Sequence, residues 1–223
     1  MATTKAKTTA KTSSTGYLPI AFIVQGTEST LMSNGRMVDK LNPYTKALKT
    51  MTSKMKRSDE EELDMRKLQF LGSLYMRDDV ETENEKTPYW PRDNVKTLVW
   101  KASKTQKCGP KVLQGLIAHD AILEYDGPKD AEGLWADTRF RHVKRAVRER
   151  KSVMVCRPQF REWKTVLALE YDPQKINRDD LVSFVEHAGR YIGLSTWQMR
   201  YGMFQILEVV EGKDAAKLIE KAK

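Results

Sequence analysis

The 223-residue sequence predicts an α+β domain built around an antiparallel sheet. Three observations carry that prediction. Leu18, Ile20, Phe22 and Val24 alternate with Pro19, Ala21 and Ile23, the pattern of a mostly buried strand with its proline at the start. Leu167, Leu169 and Tyr171 alternate with Val166 and Ala168, which reads as a second strand. Leu181, Phe184, Val185, Ala188, Tyr191 and Ile192 recur at helical spacing, between an N-cap residue type, Asn177, and a natural C-cap, Gly193. Val153 and Val155 supply a strand before the second one, with Arg157-Pro158 breaking it. Phe204, Ile206 and Val210 supply a strand after the helix. Hairpin, helix and returning strand in this order resemble half of a ferredoxin-like βαββαβ sheet.

The remaining elements follow from local signals. Residues 1–15 hold no large apolar residue except Met1 and read as a disordered basic tail. A single α+β domain is expected over 16–210, followed by a charged helix or tail over 211–223. Residues 27–43, with Ser33-Asn34-Gly35 and Asn42-Pro43, read as a long loop. A helix is expected over 44–56, with Leu48, Met51 and Met55 on one face. Ser58-Asp59-Glu60-Glu61 looks like the start of another, with acids in its first turn. Residues 78–88 are acidic and polar and read as a mobile loop. Asp93 is placed to cap a helix lined by Val95, Leu98, Val99 and Ala102. Leu116 to Leu123 suggest one strand or a pair.

Composition bounds the function. Lys and Arg number 39 against 30 Asp and Glu, a net charge of +9 that suits a polyanion. No apolar run is long enough to span a bilayer, and no secretory leader opens the chain, so a cytoplasmic protein is expected. Cys108 and Cys156 form no C-x-x-C pair, and His119, His142 and His187 lie far apart. Neither a metal nor another cofactor is expected, and the thiols read as structural ones in a reducing compartment.

Most of the charge is local. Arg139 to Lys164 carries ten basic residues against Glu149 and Glu162, a net +8, and seven of the ten are arginine. Phe140, Phe160 and Trp163 are interleaved with them. Cations tracking a backbone, with aromatics for stacking, is the pattern of sequence-tolerant single-strand binding. Arginine favours bidentate phosphate contacts. A second candidate is the segment Arg190 to Gly202. There Trp197 and Tyr201 can stack bases, Arg190 and Arg200 can meet phosphates, and Gly193 and Gly202 can let backbone approach a ligand.

Motifs for other chemistries are missing. There is no G-x-x-x-x-G-K-[ST], no strand-borne G-x-G-x-x-G, no G-x-S-x-G and no H-E-x-x-H. Glu162-Trp163-Lys164 matches the E-x-K triplet of metal-dependent nucleases, with Asp137 as the one upstream acid to join it. His142 is a candidate general acid or base for RNA cleavage.

Two stretches carry a family resemblance. Tyr89-Trp90-Pro91-Arg92-Asp93-Asn94-Val95-Lys96-Thr97-Leu98-Val99-Trp100-Lys101-Ala102 resembles the segment near the start of many repeat-associated mysterious proteins, the RAMP superfamily. Gly193 to Phe204 resembles that superfamily's C-terminal glycine-rich loop, with Gly193 and Gly202 in matching roles. The order of segments also looks like that of uncharacterised tailed-bacteriophage proteins, which would place the chain in a host cytoplasm. The RAMP resemblance implies a ferredoxin-like sheet with a helical insertion, and nucleic-acid binding without catalysis.

The expectation is therefore a protein that binds single-stranded DNA or RNA through its backbone, without enzymatic activity and with possible oligomerisation along the strand. Arg139, Arg141, Lys144, Arg145, Arg148, Arg150 and Lys151 would contact phosphates, and Trp197 and Tyr201 would stack bases beside Arg190 and Arg200. Two rivals stand beside it. One is a phage assembly or host-interaction protein whose basic face meets an acidic partner. The other is an RNase using His142 or Glu162.

Overall fold

The computed structural model describes residues 16–54, 56–77, 87–148 and 151–222. The expected basic tail over 1–15 lies outside the described residues, as does 78–86 of the expected acidic loop. In chain order the elements are β1 (Leu18–Gly26), β2 (Thr30–Leu31), α1 (Pro43–Thr52), α2 (Asp59–Ser73), β3 (Tyr89–Trp90), α3 (Arg92–Ser103), α4 (Gly109–Gly115), β4 (Leu116–Ala118), β5 (Ala121–Glu124) and α5 (Ala131–Ala136). Then come β6 (Arg141–Arg148), β7 (Lys151–Phe160), β8 (Lys164–Tyr171), α6 (Arg178–His187), β9 (Phe204–Glu211) and α7 (Gly212–Ala222).

The fold is α+β with antiparallel sheets. The larger sheet runs β3-β5-β8-β1-β9, and β4 also pairs with β8. Its centre is the β1–β8 ladder, with Ile20 opposite Leu169 and Phe22 opposite Leu167. Alternation sends Ile20, Phe22, Val24, Leu167 and Leu169 to one face, where they are fully buried. There they meet Val95, Leu98, Val99 and Ala102 of α3 and Leu181, Phe184 and Val185 of α6. Each fully buried side chain of this size contributes about 1.5–3 kcal/mol. The opposite face carries the small pair Ala21 and Ala168, directly opposed and also buried. Helix α7 packs there on β1 and β8 and buries Ala215 and Ile219.

The smaller sheet, β2-β7-β6, is a long hairpin ribbon held to the body by the two residues of β2. Helix α2 packs on β7, and the Gln69 side-chain carbonyl accepts the Cys156 N–H at 2.9 Å. The Ser58 start is a full capping box: Ser58 Oγ accepts from Glu61 N–H, and the Glu61 carboxylate accepts from Ser58 N–H.

Several local expectations are corrected by tertiary partners. Pro158 does not break the strand: β7 runs through it, opposite Arg141, where β6 begins and a lost donor falls at the end of the ladder. Pro91 holds the N-cap position of α3 in place of Asp93, and the Asp120 carboxylate accepts the Arg92 N–H at 2.8 Å. Asn177 is at the N-cap of α6 but makes no side-chain capping bond. The 27–43 segment is not all loop, since it contains β2 and a 3₁₀ turn at Gly35–Val38. Tyr191 leaves the core face and is 54% exposed. The cause is a π turn over Ala188–Ile192, closed by the Gly193 N–H on the Ala188 carbonyl at 2.8 Å, which shifts the helical register by one residue.

Candidate nucleic-acid interface

Backbone bonds from the Thr27–Met32 segment place the loop Leu194–Met203 beside the ribbon. Thr27 donates to the Met203 carbonyl at 2.8 Å, and Gly202 donates to that of Ser29 at 2.8 Å. Thr196 donates to the Leu31 carbonyl at 2.9 Å, and Ser195 Oγ accepts from Leu31 N–H at 3.1 Å. The buried Thr30 hydroxyl donates to the Leu194 carbonyl. Gln159 of β7 reaches Ser29 Oγ at 2.9 Å. One two-residue strand thus links the large sheet, the loop and the ribbon.

The glycines serve this closure rather than access for a ligand. Gly193 and Gly202 have φ of +84° and +76°. A Cβ on Gly193 would lie 2.3 Å from the Tyr201 carbonyl oxygen, and one on Gly202 would lie 2.3 Å from that of Leu194. The space beside each glycine is filled by the loop's own backbone.

The ribbon's two faces separate by residue parity. His142 stands opposite Arg157, and Lys144 opposite Val155, on the face toward the loop. Arg141 and Cys156 belong to the other face, toward α2 and α5. On the loop side, Trp197 and Tyr201 pack with ring centroids 6.1 Å apart. The His142 ring meets them edge-on at 5.9 and 5.5 Å. Lys144 Nζ is 5.6 Å from the Trp197 centroid and 5.8 Å from that of Tyr201, and Arg157 Cζ is 5.2 Å from Trp197. An open cleft of about 580 Å³ lies alongside, with Lys144, Arg145 and Ala146 on one wall and Thr196, Trp197 and Arg200 on the other. Across the loop, Asp93, Asn94, Thr97, Lys101, Ser195 and Gln198 line a second, polar cleft of about 290 Å³.

Electrostatically the cluster is one-sided. Among the described residues neither Lys144 nor Arg157 has an ion-pair partner. Arg157 Nε and Nη1 and His142 Nε2 are buried without a hydrogen-bond acceptor or donor. Burial lowers the His142 imidazole below its ordinary value, Lys144 and Arg157 push the same way, and Gln159 opposes them. Burial also lowers the Arg157 guanidinium.

Other sequence-nominated residues go elsewhere. Arg139 Nη2 and Nε donate to Asp137 Oδ2 at 2.7 and 2.9 Å, and Nε also reaches Oδ1 at 3.2 Å. Arg141 Nε donates to the Trp135 carbonyl at 2.6 Å, and its guanidinium lies 3.9 Å over the Trp135 ring. Arg190 is exposed on the π turn. Arg148 and Lys151 face each other at the tip of the ribbon, with side chains outside the described ones, and Arg150 lies outside the described residues. Phe140, Phe160 and Trp163, expected to be open for stacking, are buried in the core. Trp163 Nε1 donates to the Glu28 carbonyl at 2.9 Å. The acids of the nuclease triplet are separated: Asp137 is taken by Arg139, and Glu162 lines another cleft with Asp126, Arg139 and Arg161. Among the described residues no three His, Cys, Asp or Glu side chains could hold a metal ion. No described helix is long and apolar enough to cross a membrane. Sequence reasoning missed Arg157 as a site residue, because Arg157-Pro158 reads as a strand break and ladder register has no local signature.

Comparison with protein-family models gives no match, and comparison with curated proteins gives none either. Among solved structures, the chain is similar to one from the cryo-EM structure of the Type III-B Cmr-beta bound to cognate target RNA. Identity is 11%, the TM-score is 0.47, and the match covers 90% of this chain and 62% of that one.

Proposed function

We propose that this protein binds single-stranded nucleic acid, without catalysis, in the cleft between the β6–β7 ribbon and the Leu194–Met203 loop. The observation that carries the reading is the gathering of Lys144, Arg157 and His142 around Trp197 and Tyr201, with no carboxylate paired to them among the described residues. Lys144 and Arg200 contact phosphates at the rim, and the loop aromatics stack bases. Single strands suit the site because unstacked bases can turn into the neighbouring polar cleft, where Asn94 and Thr97 offer donors and acceptors. An acidic protein surface would also meet the cations, but it would leave the aromatic pair and the polar cleft without a role. Cleavage needs an acid–base pair about the scissile phosphate. Around His142 stand two cations, Gln159 and two aromatic rings, which supports binding alone.

A RAMP-like, ferredoxin-like reading of the larger sheet is part of the proposal. Taking β4 and β5 as one broken strand, the order is β9-β1-β8-β4/β5, all antiparallel, with α3 and α6 as the connecting helices. That order supports a βαββαβ unit, with α1, α2, the ribbon and α5 inserted into it.

Fluorescence anisotropy with single-stranded RNA, single-stranded DNA and a duplex tests the function. Reversing Lys144 and Arg200 together to Glu is expected to weaken single-strand binding about 100-fold at low salt. The salt slope should fall by about 0.7 per lost phosphate contact. Equal affinity for the duplex, or a double variant that binds as the parent does, overturns the reading.

A further inference from the structure

Arg157 is an unusual residue in this cluster. It lies in mid-strand, half-buried, with Nε and Nη1 shut off from solvent and unbonded among the described residues, and across the ladder His142, which has Gln159 as a hydrogen-bond partner, leaves Nε2 in the same position. Buried guanidinium nitrogens are ordinarily matched by a carboxylate or carbonyls, because a charge out of water without a partner is costly. Among the described residues nothing supplies that partner. What lies over both is the Trp197 ring, 5.2 Å from Arg157 Cζ and 5.9 Å from the His142 ring, with the Tyr201 ring also against His142 at 5.5 Å. The loop backbone is held at Thr196, at Gly202 and at Met199, whose N–H donates to the Ile192 carbonyl at 2.7 Å, so the ring moves by side-chain rotation on a fixed backbone. Met199 itself adopts a left-handed φ of +66° and is 77% exposed.

We infer that Arg157 and His142 form a receptor for one phosphate group, and that Trp197 is its removable cover. The ligand class is a phosphodiester of the bound strand, so the inference rests on the nucleic-acid reading above. The guanidinium fork offers two N–H groups to two phosphate oxygens, and the imidazole offers a third donor once protonated. When a strand enters, the indole leaves the pair and stacks on a base, and the phosphate takes its place. The orphaned donors are then satisfied only in the bound state. Binding and Trp197 movement are coupled because the closed and open states differ in those bonds.

The test uses the full chain and inorganic phosphate, followed by NMR with chloride balancing the ionic strength. Phosphate is expected to shift the Trp197 indole N–H and the His142 imidazole resonances saturably, and chloride alone to shift neither. Arg157→Gln is expected to abolish the phosphate effect and weaken oligonucleotide binding about 10-fold. Trp197→Ala is expected to strengthen phosphate binding about 5-fold, by removing the cover, while weakening oligonucleotide binding about 10-fold. That opposite pair of signs is not what a mere core plug would give. The wild-type titration is decisive without any variant: if phosphate moves neither resonance, the receptor does not exist. Phosphate binding without oligonucleotide binding would sink the nucleic-acid reading alone. Oligonucleotide binding indifferent to Arg157→Gln would sink the receptor and leave the cleft reading in place.

Discussion

The ribbon presents two arginines to two tryptophans, one pair on each face, and the pairs differ in what surrounds the cation. Arg141 lies 3.9 Å over Trp135 and donates to the carbonyls of Trp135 and Ala136 at 2.6 and 3.3 Å. Arg157 lies 5.2 Å from Trp197, and two of its nitrogens are buried with no acceptor among the described residues. The first guanidinium is finished: its charge is spread into backbone oxygens that tie α5 to β6. The second is left open toward the loop. A run of positive charge is therefore not one surface. Strand alternation divides it: among the described residues, Arg141 is satisfied on one face while Arg157 keeps unpartnered donors on the other.

This contrast accounts for what was readable in the sequence and what was not. Elements fixed by neighbours in sequence were readable. Ser58 and Glu61 are one helical turn apart, and Leu18 to Val24 alternate on their own strand. The capping box and β1 both form where those signals stand. Features decided by distant partners were not readable. Asp120 takes over the cap of α3 from 28 residues away. The burial of Phe140, Phe160 and Trp163 depends on the ribbon folding onto the body, so their spacing among charges misrepresents them. The site itself was half readable. Lys144, Trp197, Arg200 and Tyr201 were nominated and meet at one cleft, whereas Arg139 and Arg141 were nominated on charge and are spent on Asp137 and Trp135.

The largest effect that would sharpen the contrast lies at the finished arginine. Arg141→Gln removes a charge-assisted bond to the Trp135 carbonyl and the stacked cation. It should cost about 3 kcal/mol of stability. For a chain of this size that is a fall of about 10 °C in melting temperature. Oligonucleotide affinity of the folded fraction should stay within about twofold of the parent. A variant that melts within 2 °C of the parent, by roughly the same conversion, would mean the two arginines do not differ as described.

The open arginine should behave in the opposite way. Arg157→Met removes two buried donors that have no partners among the described residues, so it relieves a cost while losing a cation–π contact. The net change in stability should lie between zero and about 1 kcal/mol in favour of the variant, as when buried charges give way to apolar residues of similar volume. Thermal melting of the two variants side by side measures the difference directly. A loss of about 5 °C or more in Arg157→Met would break the comparison.

The smallest effect is a linkage at His142. Its folded value lies below the ordinary 6.5, chiefly through burial, with Lys144 and Arg157 adding repulsion and Gln159 opposing. Trp197 and Tyr201 face it from the loop and carry no counter-charge. As pH falls through about 6.5, the unfolded chain takes up this proton and the folded chain does not, so stability falls with acidification. The loss continues until the folded value is reached, with a slope below about 1.4 kcal/mol per pH unit for one proton. The chain holds two further histidines, His119, held by Glu170 at 2.8 Å, and His187. The measurement is therefore the difference between the parent and His142→Asn in denaturant melts from pH 7.5 to 5. The variant should lose part of the acid-side slope. Affinity for a phosphate-bearing strand should move the other way: a bound anion favours the imidazolium, so binding tightens as pH falls, and His142→Asn should flatten that rise too. If the variant flattens the stability curve and leaves the affinity curve unchanged, His142 is buried beside the cleft and is not part of its anion chemistry.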